Sequence, residues 1–213
     1  MPTTLSYSKV QKYLISLVPQ REPEMQAMET YGDKTGFPII GPAAGYMCYQ
    51  TARMIGARNV FELGSGYGYS TAWFAKAVKE NGGGKVHHVV WDEKLSEKAR
   101  VHLSRLGYDE LIEYHVTEAV SKLQSTPGSF DLIFTDIDKE GYPASLPLVK
   151  EKLRNGGVLI IDNMLWSGRI FDPKDHSKET AAIRRFTHDI TSDSDWIVSL
   201  APVRDGLIIA YKK

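Results

Sequence analysis

Cysteine is almost absent from this sequence, and neither sign of charge is in excess. Cys48 is the only cysteine in 213 residues, which excludes an intrachain disulfide, a cysteine zinc site and a redox pair of cysteines. We predict that Cys48 is a small buried residue. Lys plus Arg and Asp plus Glu each number 26, so no overall basic field draws the chain to nucleic acid or to an anionic membrane, although a local patch is not excluded.

Long apolar runs and a targeting segment are also missing. No apolar run approaches the ~18 to 20 residues that a bilayer span needs, and the N-terminus lacks the charged-then-apolar pattern of a signal peptide. We therefore expect a cytoplasmic protein without a membrane partner. The length suits a single catalytic domain, residues 1–213, because no linker, internal repeat or low-complexity segment divides the chain.

The spacing of apolar residues divides this domain into two parts. Residues 1–56 have helical periodicity and form a predicted N-terminal helical cap. Residues 57–213 alternate short apolar runs with amphipathic segments, which is typical of βαβ units and a parallel sheet. Strands are predicted near residues 60–63, 85–91, 112–115, 131–135 and 158–161, with helices at 93–106 and 143–153 and a helix stop at Asn155-Gly156-Gly157.

The C-terminal pattern differs from the rest of the sheet. The strand-like runs WIVSL and LIIAY are joined by APVRDG, a short Pro/Gly connection that predicts a hairpin. A parallel sheet finished by an antiparallel hairpin separates the class I methyltransferase architecture from an ordinary dinucleotide-binding sheet. We therefore predict an α/β, Rossmann-like sheet of that class, mostly parallel, with a C-terminal antiparallel hairpin and helices on both faces.

Two predicted strands end in acidic residues, Asp136 in FTDIDK and Asp162 in IDN. If these strands are parallel neighbours, roughly 4.8 Å apart, their carboxylates lie side by side and need a cation. With Asn163 they offer only hard oxygen ligands, which favour Mg²⁺, Mn²⁺ or Ca²⁺. The alternative is that Asp136 caps the following turn and that the other two begin an ordinary loop. Lys139 is a candidate general base beside such a site, or otherwise a solvated surface lysine.

A glycine-rich turn, FELGSGYGYST, lies upstream at residues 61–71. Gly64, Gly66 and Gly68 permit a tight turn and a close approach of the backbone to a ligand. Glu62 beside the turn would repel the phosphates of a dinucleotide and better suits S-adenosylmethionine. Ser70 is predicted either to cap the helix or to touch the ligand. The alternative is a turn that serves only the strand-to-helix geometry.

Other positions complete the predicted cofactor and acceptor sites. Asp92 ends the second strand, where it either accepts both ribose hydroxyls or caps the next helix. Ala119 is placed against the adenine, and Ile40 and Ser65 are assigned to the same cofactor site. Aromatic and thioether side chains line an acceptor slot or else pack in the core or a lid: Tyr46, Met47, Tyr142 and Trp166. His87 and His88 alternate along a strand and are interpreted as packing residues.

These residues together resemble the cation-dependent O-methyltransferases, including caffeoyl-CoA and catechol O-methyltransferases and small bacterial relatives. The resemblance runs from about Gly41 to the C-terminus on FELGSGYGYST, WDE, FDLIFTDIDKEGY, NGGVLIIDNMLWSGRIFD and PVRDGLIIAYKK. It implies cofactor contacts at Glu62, Gly64, Ser70, Asp92, Ala119, Asp136 and Asp138, metal ligands at Asp136, Asp162 and Asn163, and a base at Lys139. Ser167 stands where plant caffeoyl-CoA enzymes have an asparagine near the substrate. The resemblance also implies a homodimer.

The predicted reaction is methyl transfer from S-adenosylmethionine to one hydroxyl of a vicinal pair on a phenolic small molecule, with a divalent cation bound to both oxygens. An alternative acceptor is 5-hydroxyuridine in tRNA, at the same metal site, with Arg184 and Arg185 in a local basic patch. A nicotinamide oxidoreductase on the same kind of sheet is a third hypothesis. The fourth is a non-catalytic protein that keeps the cofactor pocket.

Overall fold

A computed structural model describes residues 6–213 of the chain. The helices are α1 (Tyr7–Ser16), α2 (Pro23–Thr35), α3 (Gly41–Met54), α4 (Tyr69–Glu80), α5 (Glu93–Arg105), α6 (Ala119–Ser125), α7 (Tyr142–Lys152) and α8 (Lys178–Ser192). The strands are β1 (Asn59–Leu63), β2 (Lys85–Val90), β3 (Ile112–Val116), β4 (Phe130–Thr135), β5 (Leu153–Ile161), β6 (Trp196–Ala201) and β7 (Leu207–Lys212). Within residues 6–213, no helix combines the length and the apolar character that crossing a membrane requires.

The strands form one seven-stranded sheet in the order β3-β2-β1-β4-β5-β7-β6. Strands β1 to β5 are parallel, and β7 runs antiparallel to both β5 and β6. The predicted fold class, including the C-terminal hairpin, is therefore confirmed. The chain order reverses between β1 and β4, and open α/β sheets bind ligands outside the carboxyl ends of their strands at this switch point.

Both faces of the sheet are buried under helices. Val60 and Leu132 face a cluster that includes Cys48, which is fully buried as predicted. Phe61 and Ile133 face the opposite cluster, formed with α7 and α8. Since helices cover both faces, the central strands are apolar at nearly every position.

The start of β5 differs from the prediction. Asn155-Gly156-Gly157 lies inside β5 instead of before it, and helix α7 has already ended at Lys152. Phe130 pairs with Leu153 but Leu132 pairs with Val158, so the chain bulges between these pairs. Gly156 has φ 75°, a conformation that a bulge can require and that glycine adopts freely. The two glycines therefore mark a bulge within a strand.

Gly64 brings the ends of β1 and β4 together. It has φ 89°, and a Cβ atom on it would collide with the carbonyl group of Asp136. We expect Gly64→Ala to lower the free energy of unfolding in urea by about 3 kcal/mol, from left-handed strain and the clash together. Gly82→Ala is the control, because Gly82 has φ 94° with open space around it. Equal losses in the two variants would contradict a close approach at Gly64.

Candidate active site

A cavity of about 1100 Å³ opens at the carboxyl ends of β1 and β4. It brings together most of the residues that the sequence assigned to a cofactor and a reacting centre. Its lining includes Ile40, Gly64, Ser65, Gly66, Ser70, Ala119, Asp136, Asp138, Lys139, Asn163 and Trp166. Its size suits a ligand larger than a single ring, since small-molecule pockets typically run to about 300–1000 Å³.

Two predicted acceptor residues lie elsewhere. Tyr46 packs edge-on against Trp73 of α4, with the ring centroids 5.9 Å apart, and Met47 packs against the same helical core. Neither residue is among those that line the cavity. Both residues therefore pack against the helical core, the alternative considered for them, and the acceptor slot predicted at these positions is corrected to core packing. Tyr142 is fully buried, whereas Tyr46 and Met47 are partly buried.

Ser70 and Asp92 were each predicted either to cap a helix or to contact the ligand, and the structure gives them different roles. The N-cap position of α4 is Gly68, with φ 90°, and no side chain caps this helix. The capping role considered for Ser70 is therefore wrong, and Ser70 instead lines the cavity. Asp92 is the N-cap of α5, and its Oδ1 accepts a hydrogen bond of 3.0 Å from the backbone N–H of Leu95. The cap interpretation of Asp92 is confirmed, and it leaves Oδ2 for other partners.

Glu62 is a fully buried carboxyl group behind the glycine turn. Thr71 Oγ1 donates a hydrogen bond to Glu62 Oε2, whereas Glu62 Oε1 has no partner in the described part of the chain. Burial raises the pKa of Glu62 to about 7, against the opposing effect of its hydrogen bonds. Glu62 itself does not line the cavity, so its unpartnered oxygen lies behind the turn whose residues do.

We expect Glu62→Gln to stabilise the protein above neutral pH. Since the pKa rises from 4.5 to about 7 on folding, the folded state keeps a proton that the unfolded state has released above about pH 4.5. Stability therefore falls as pH rises from about 4.5 to 7 and remains lower beyond, by about 3 kcal/mol for this group. The amide of Gln cannot ionise. The free energy of unfolding in urea should therefore fall less between pH 5 and pH 8 in Glu62→Gln than in the wild type.

The control for this prediction is Glu151→Gln, which changes an exposed carboxylate. This variant should keep the wild-type difference in stability between the two pH values. If Glu62→Gln also keeps the full difference, Glu62 is not the group that holds the proton.

Asp136 and Asp162 form the acidic centre of the site. Asp162 is fully buried, and its Oδ1 accepts the backbone N–H of Asn163 at 2.8 Å. Burial and the charge of Asp136 raise the pKa of Asp162 to about 7, although the cationic Arg204 opposes the shift. Within residues 6–213, no backbone N–H donates to the side chain of Asp136, so the turn-capping alternative is not observed there.

Lys139 lies over Asp136 and is largely buried, with 8% of its surface exposed. Its Nζ donates to Asp136 Oδ1 at 2.7 Å, to the Tyr142 hydroxyl at 2.8 Å and to the Ile137 carbonyl at 3.2 Å. The solvated surface lysine considered from the sequence is therefore wrong. With three acceptors around it, the ammonium group is held in one position at the cavity wall.

Asn163 is oriented by Asp205, a residue of the turn between β6 and β7. Asn163 Nδ2 donates to Asp205 Oδ2 at 3.1 Å. A carboxylate only accepts hydrogen bonds, so the amide nitrogen must face Asp205 and the amide oxygen is left for another partner. Asp205 Oδ1 also accepts the backbone N–H of Ser167 at 2.6 Å. One carboxylate therefore fixes both Asn163 and the loop that follows it.

Strained backbone conformations occur in the loop after β5 and in the turn between β6 and β7. All non-glycine residues with positive φ in the described chain lie here: Asn163, Trp166, Ser167 and Arg204, with φ between 48° and 62°. Such conformations cost free energy and persist where surrounding contacts determine them, as at ligand sites. Their clustering supports a functional role for this edge of the sheet.

A second cavity of about 670 Å³ adjoins the first. Asn163, Trp166 and Arg204 line both cavities, so they form the wall between them. Ser167 lines only the second, together with residues from α1, the loop after β5 and the β6–β7 turn: Tyr7, Leu165, Gly168, Phe171 and Asp205. Of the two loop residues predicted as acceptor residues, Trp166 thus lines both cavities and Ser167 lines only the second.

Sequence reasoning missed Arg204 and Asp205. Arg204 Nη1 lies 2.7 Å from Asp162 Oδ2. The signal was the charged pair within APVRDG, the hairpin connection. Because Ile208 of β7 pairs with Ile161 of β5, an antiparallel β7 has to begin where β5 ends, and its preceding turn then meets Asp162.

His87, Glu113 and His115 form a separate cluster on β2 and β3. His87 Nδ1 lies 3.3 Å from His115 Nε2 and 3.4 Å from Glu113 Oε2. The two rings are nearly parallel, at 11°, with centroids 5.5 Å apart. These distances place His87 Nδ1 and His115 Nε2 pointing at each other, with the two rings almost in one plane, as in an N–H···N hydrogen bond. Two nitrogens in this arrangement cannot both direct a lone pair at one ion. We interpret the cluster as packing and hydrogen bonding, as predicted for His87.

The acidic centre has suitable ligand chemistry for a hard divalent cation. Asp136, Asp162 and the amide oxygen of Asn163 are the oxygen donors that Mg²⁺ and Mn²⁺ prefer. Two side-chain cations, Lys139 and Arg204, already contact the two carboxylates. The donor set therefore fits the ion, on the condition that these contacts rearrange.

Comparisons with known proteins match this chain to O-methyltransferases. A family model described as O-methyltransferase matches residues 28–213. A catechol O-methyltransferase of Mycobacterium tuberculosis is 32% identical over 82% of this chain and 80% of its own length, and one of Niastella koreensis is 26% identical over 97% and 98%. The solved O-methyltransferase of Bacillus cereus in complex with SAH is 26% identical, covers 96% of this chain and 97% of its own, and superposes with a TM-score of 0.85.

Proposed function

The chain belongs to the O-methyltransferase family, and from this premise we propose that it methylates one hydroxyl of a vicinal pair on an aromatic ring, such as a catechol. The membership confirms the resemblance to the cation-dependent O-methyltransferases that the sequence predicted. The enzyme uses S-adenosylmethionine, which supplies the methyl group as its sulfonium carbon–sulfur bond breaks to leave S-adenosylhomocysteine. Two relatives named for catechol support an aromatic diol as the acceptor class.

The observation that carries the proposal is the position of Lys139. It lies beside the acidic residues Asp136 and Asp162 and near Trp166, a residue of the wall that the two cavities share. Lys139 Nζ lies 2.7 Å from Asp136 Oδ1 and 6.0 Å from the Trp166 ring centroid. Three hydrogen-bond acceptors, Asp136 Oδ1, the Ile137 carbonyl and the Tyr142 hydroxyl, hold its Nζ at this wall. As a neutral amine it could take the proton of an acceptor hydroxyl held at this wall.

The other residues bind and orient the reactants. The glycine turn lets the backbone approach the cofactor, and Ser70 and Asp138 line its cavity. Trp166 offers an aromatic surface for the acceptor ring. Asp136, Asp162 and Asn163 would hold a divalent cation, which would supply Lewis-acid stabilisation of the ionised acceptor hydroxyl. Holding oxygen and methyl in a near-attack arrangement is worth an effective molarity of about 10⁵–10⁸ M in aligned systems.

The proposal is tested by transfer of a labelled methyl group from S-adenosylmethionine to a panel of acceptors, each with Mg²⁺ and with EDTA. The panel contains catechol, caffeate, a phenol with a single hydroxyl, and tRNA with and without 5-hydroxyuridine. EDTA-sensitive labelling of the two diols, without labelling of the single phenol, is the expected result. Labelling of the single phenol at the same rate would contradict a vicinal acceptor.

Methylation of 5-hydroxyuridine in tRNA is the alternative outcome of this panel. One arginine of the predicted basic patch has another role, since the Arg184 guanidinium donates to the backbone carbonyls of Ile170, Asp172 and Asp175. Arg185 pairs weakly with Asp189 at 3.5 Å and is largely exposed. The structure thus leaves less basic surface here than the sequence predicted, which favours the small phenol.

A further inference from the structure

Arg204 closes the acidic centre from the turn between β6 and β7. Its Nη1 is 2.7 Å from Asp162 Oδ2, and Asp162 Oδ1 already accepts the N–H of Asn163. Asp162 is fully buried, whereas 29% of the Arg204 side chain is exposed. Both oxygens of a predicted metal ligand are therefore engaged, one of them by a side-chain cation of the same chain.

The backbone of Arg204 is fixed from both sides by α1. Arg204 N–H donates to Gln11 Oε1 at 2.7 Å, and the Tyr7 hydroxyl donates to the Arg204 carbonyl at 2.6 Å. These bonds hold the residue at φ 52°, a left-handed conformation uncommon for arginine. Since the backbone is anchored, rearrangement at Asp162 has to come from the side chain alone.

The charges of the centre are balanced by this arrangement. Asp136 is paired with Lys139, and Asp162 is paired with Arg204. A divalent cation would add two positive charges to a centre that its own side chains already neutralise, so like-charge repulsion opposes its binding. The guanidinium makes one hydrogen bond to Asp162, weaker than a bidentate pair, and its exposed part can be hydrated after release.

We propose that Arg204 is the resident counter-ion of Asp162, which a divalent cation has to displace in order to bind. This inference rests on the metal site of the proposed function and makes Arg204 the residue that sets the affinity of that site. Arg204 lines both cavities, so its release also opens the wall between the cofactor cavity and the pocket of Trp166 and Ser167.

The test is a titration of the full-length protein with Mn²⁺, followed by the electron paramagnetic resonance signal of the free ion. Arg204→Asn removes the charge and keeps a residue that tolerates left-handed backbone, and Arg204→Lys keeps the charge. We expect Arg204→Asn to bind Mn²⁺ about tenfold more tightly or better than the wild type. Arg204→Lys should stay within about threefold of the wild type. Binding of S-adenosylmethionine by calorimetry verifies that each variant is folded.

Added guanidinium, far below denaturing concentrations, provides a second readout. It should weaken Mn²⁺ binding to Arg204→Asn, where the position is vacant, and leave the wild type unchanged. Equal Mn²⁺ affinities in the wild type and Arg204→Asn would overturn the role of Arg204 while leaving the metal site in place. Absence of Mn²⁺ binding in all three proteins would overturn the metal site itself, and with it this inference.

Discussion

Lys139→Met lowers the turnover number for methyl transfer by about 10²- to 10⁴-fold in our account, the range typical of a lost general base. Methionine fills similar space but accepts no proton, and it also removes the cation that holds Asp136 at 2.7 Å. Binding of S-adenosylmethionine should change little, because the glycine turn and Ser70 are untouched. Steady-state kinetics over a range of pH, together with calorimetry for the cofactor, separate these two effects.

Lys152→Met is the matched control. Lys152 is also partly buried and donates to a backbone carbonyl, that of Thr126 at 2.8 Å. It is the last residue of α7, just before β5 begins, and lies at the amino end of that strand, whereas the cavity opens at the carboxyl ends. Its replacement should therefore affect stability and leave turnover within a few-fold of the wild type. Equal losses of turnover in the two variants would show that Lys139 acts only through the fold.

Asp162→Asn abolishes Mn²⁺ binding and lowers turnover by about 10²-fold or more, while stability at pH 8 does not fall. The catalytic loss follows from removing a ligand of the cation that stabilises charge in the transition state. Stability is maintained because burial, with the charge of Asp136, raises the pKa of Asp162 to about 7, so holding an ionised carboxylate at this position at pH 8 costs folding free energy that the amide does not cost. The amide keeps an oxygen for the N–H of Asn163, and Arg204 is exposed enough to be hydrated.

Asp131→Asn provides the contrast for this prediction. Asp131 also contacts an arginine, with Arg154 Nε at 2.6 Å. Its burial would raise its pKa, but the hydrogen bonds from Arg154 and from the backbone of Arg58 and Asn59 outweigh burial and lower it. Replacing Asp131 should therefore reduce the free energy of unfolding above its ordinary pKa, with turnover retained. If Asp162→Asn also lost stability, this would contradict the claim that the Asp162 carboxylate serves the reaction and does not stabilise the fold.

The parallel part of the sheet could be predicted because its signals are local. Each strand is a short apolar run, and the acidic residues at positions 136 and 162 follow two of them directly. Pairing of β4 with β5 then brings the two ends together at one edge, since Thr135 pairs with Ile161. The wrong start of β5 has an equally local cause: Gly156 and Gly157 have the composition of a helix stop, and only the pairing with Phe130 shows a bulge.

Residues that depend on contacts between distant parts of the chain could not be predicted in the same way. Arg204 reaches Asp162 only because β7 is antiparallel to β5, and its conformation depends on Gln11 from α1. Tyr46 was an acceptor candidate on residue type alone, and its orientation is decided by packing on Trp73. The sequence therefore predicted the acidic pair and the lysine, but not the cation that faces them from the hairpin.

A reaction centred on Lys139 and the acidic pair is tested most directly by transfer of labelled methyl from S-adenosylmethionine to catechol. The transfer is measured side by side for the wild type, Lys139→Met and Asp162→Asn in Mg²⁺. We expect a mono-O-methylated catechol from the wild type and at least about 100-fold less label from each variant. Label in the wild type that neither substitution diminishes would contradict a reaction centred on Lys139 and the acidic pair. Absence of label in the wild type with catechol would contradict the proposed acceptor.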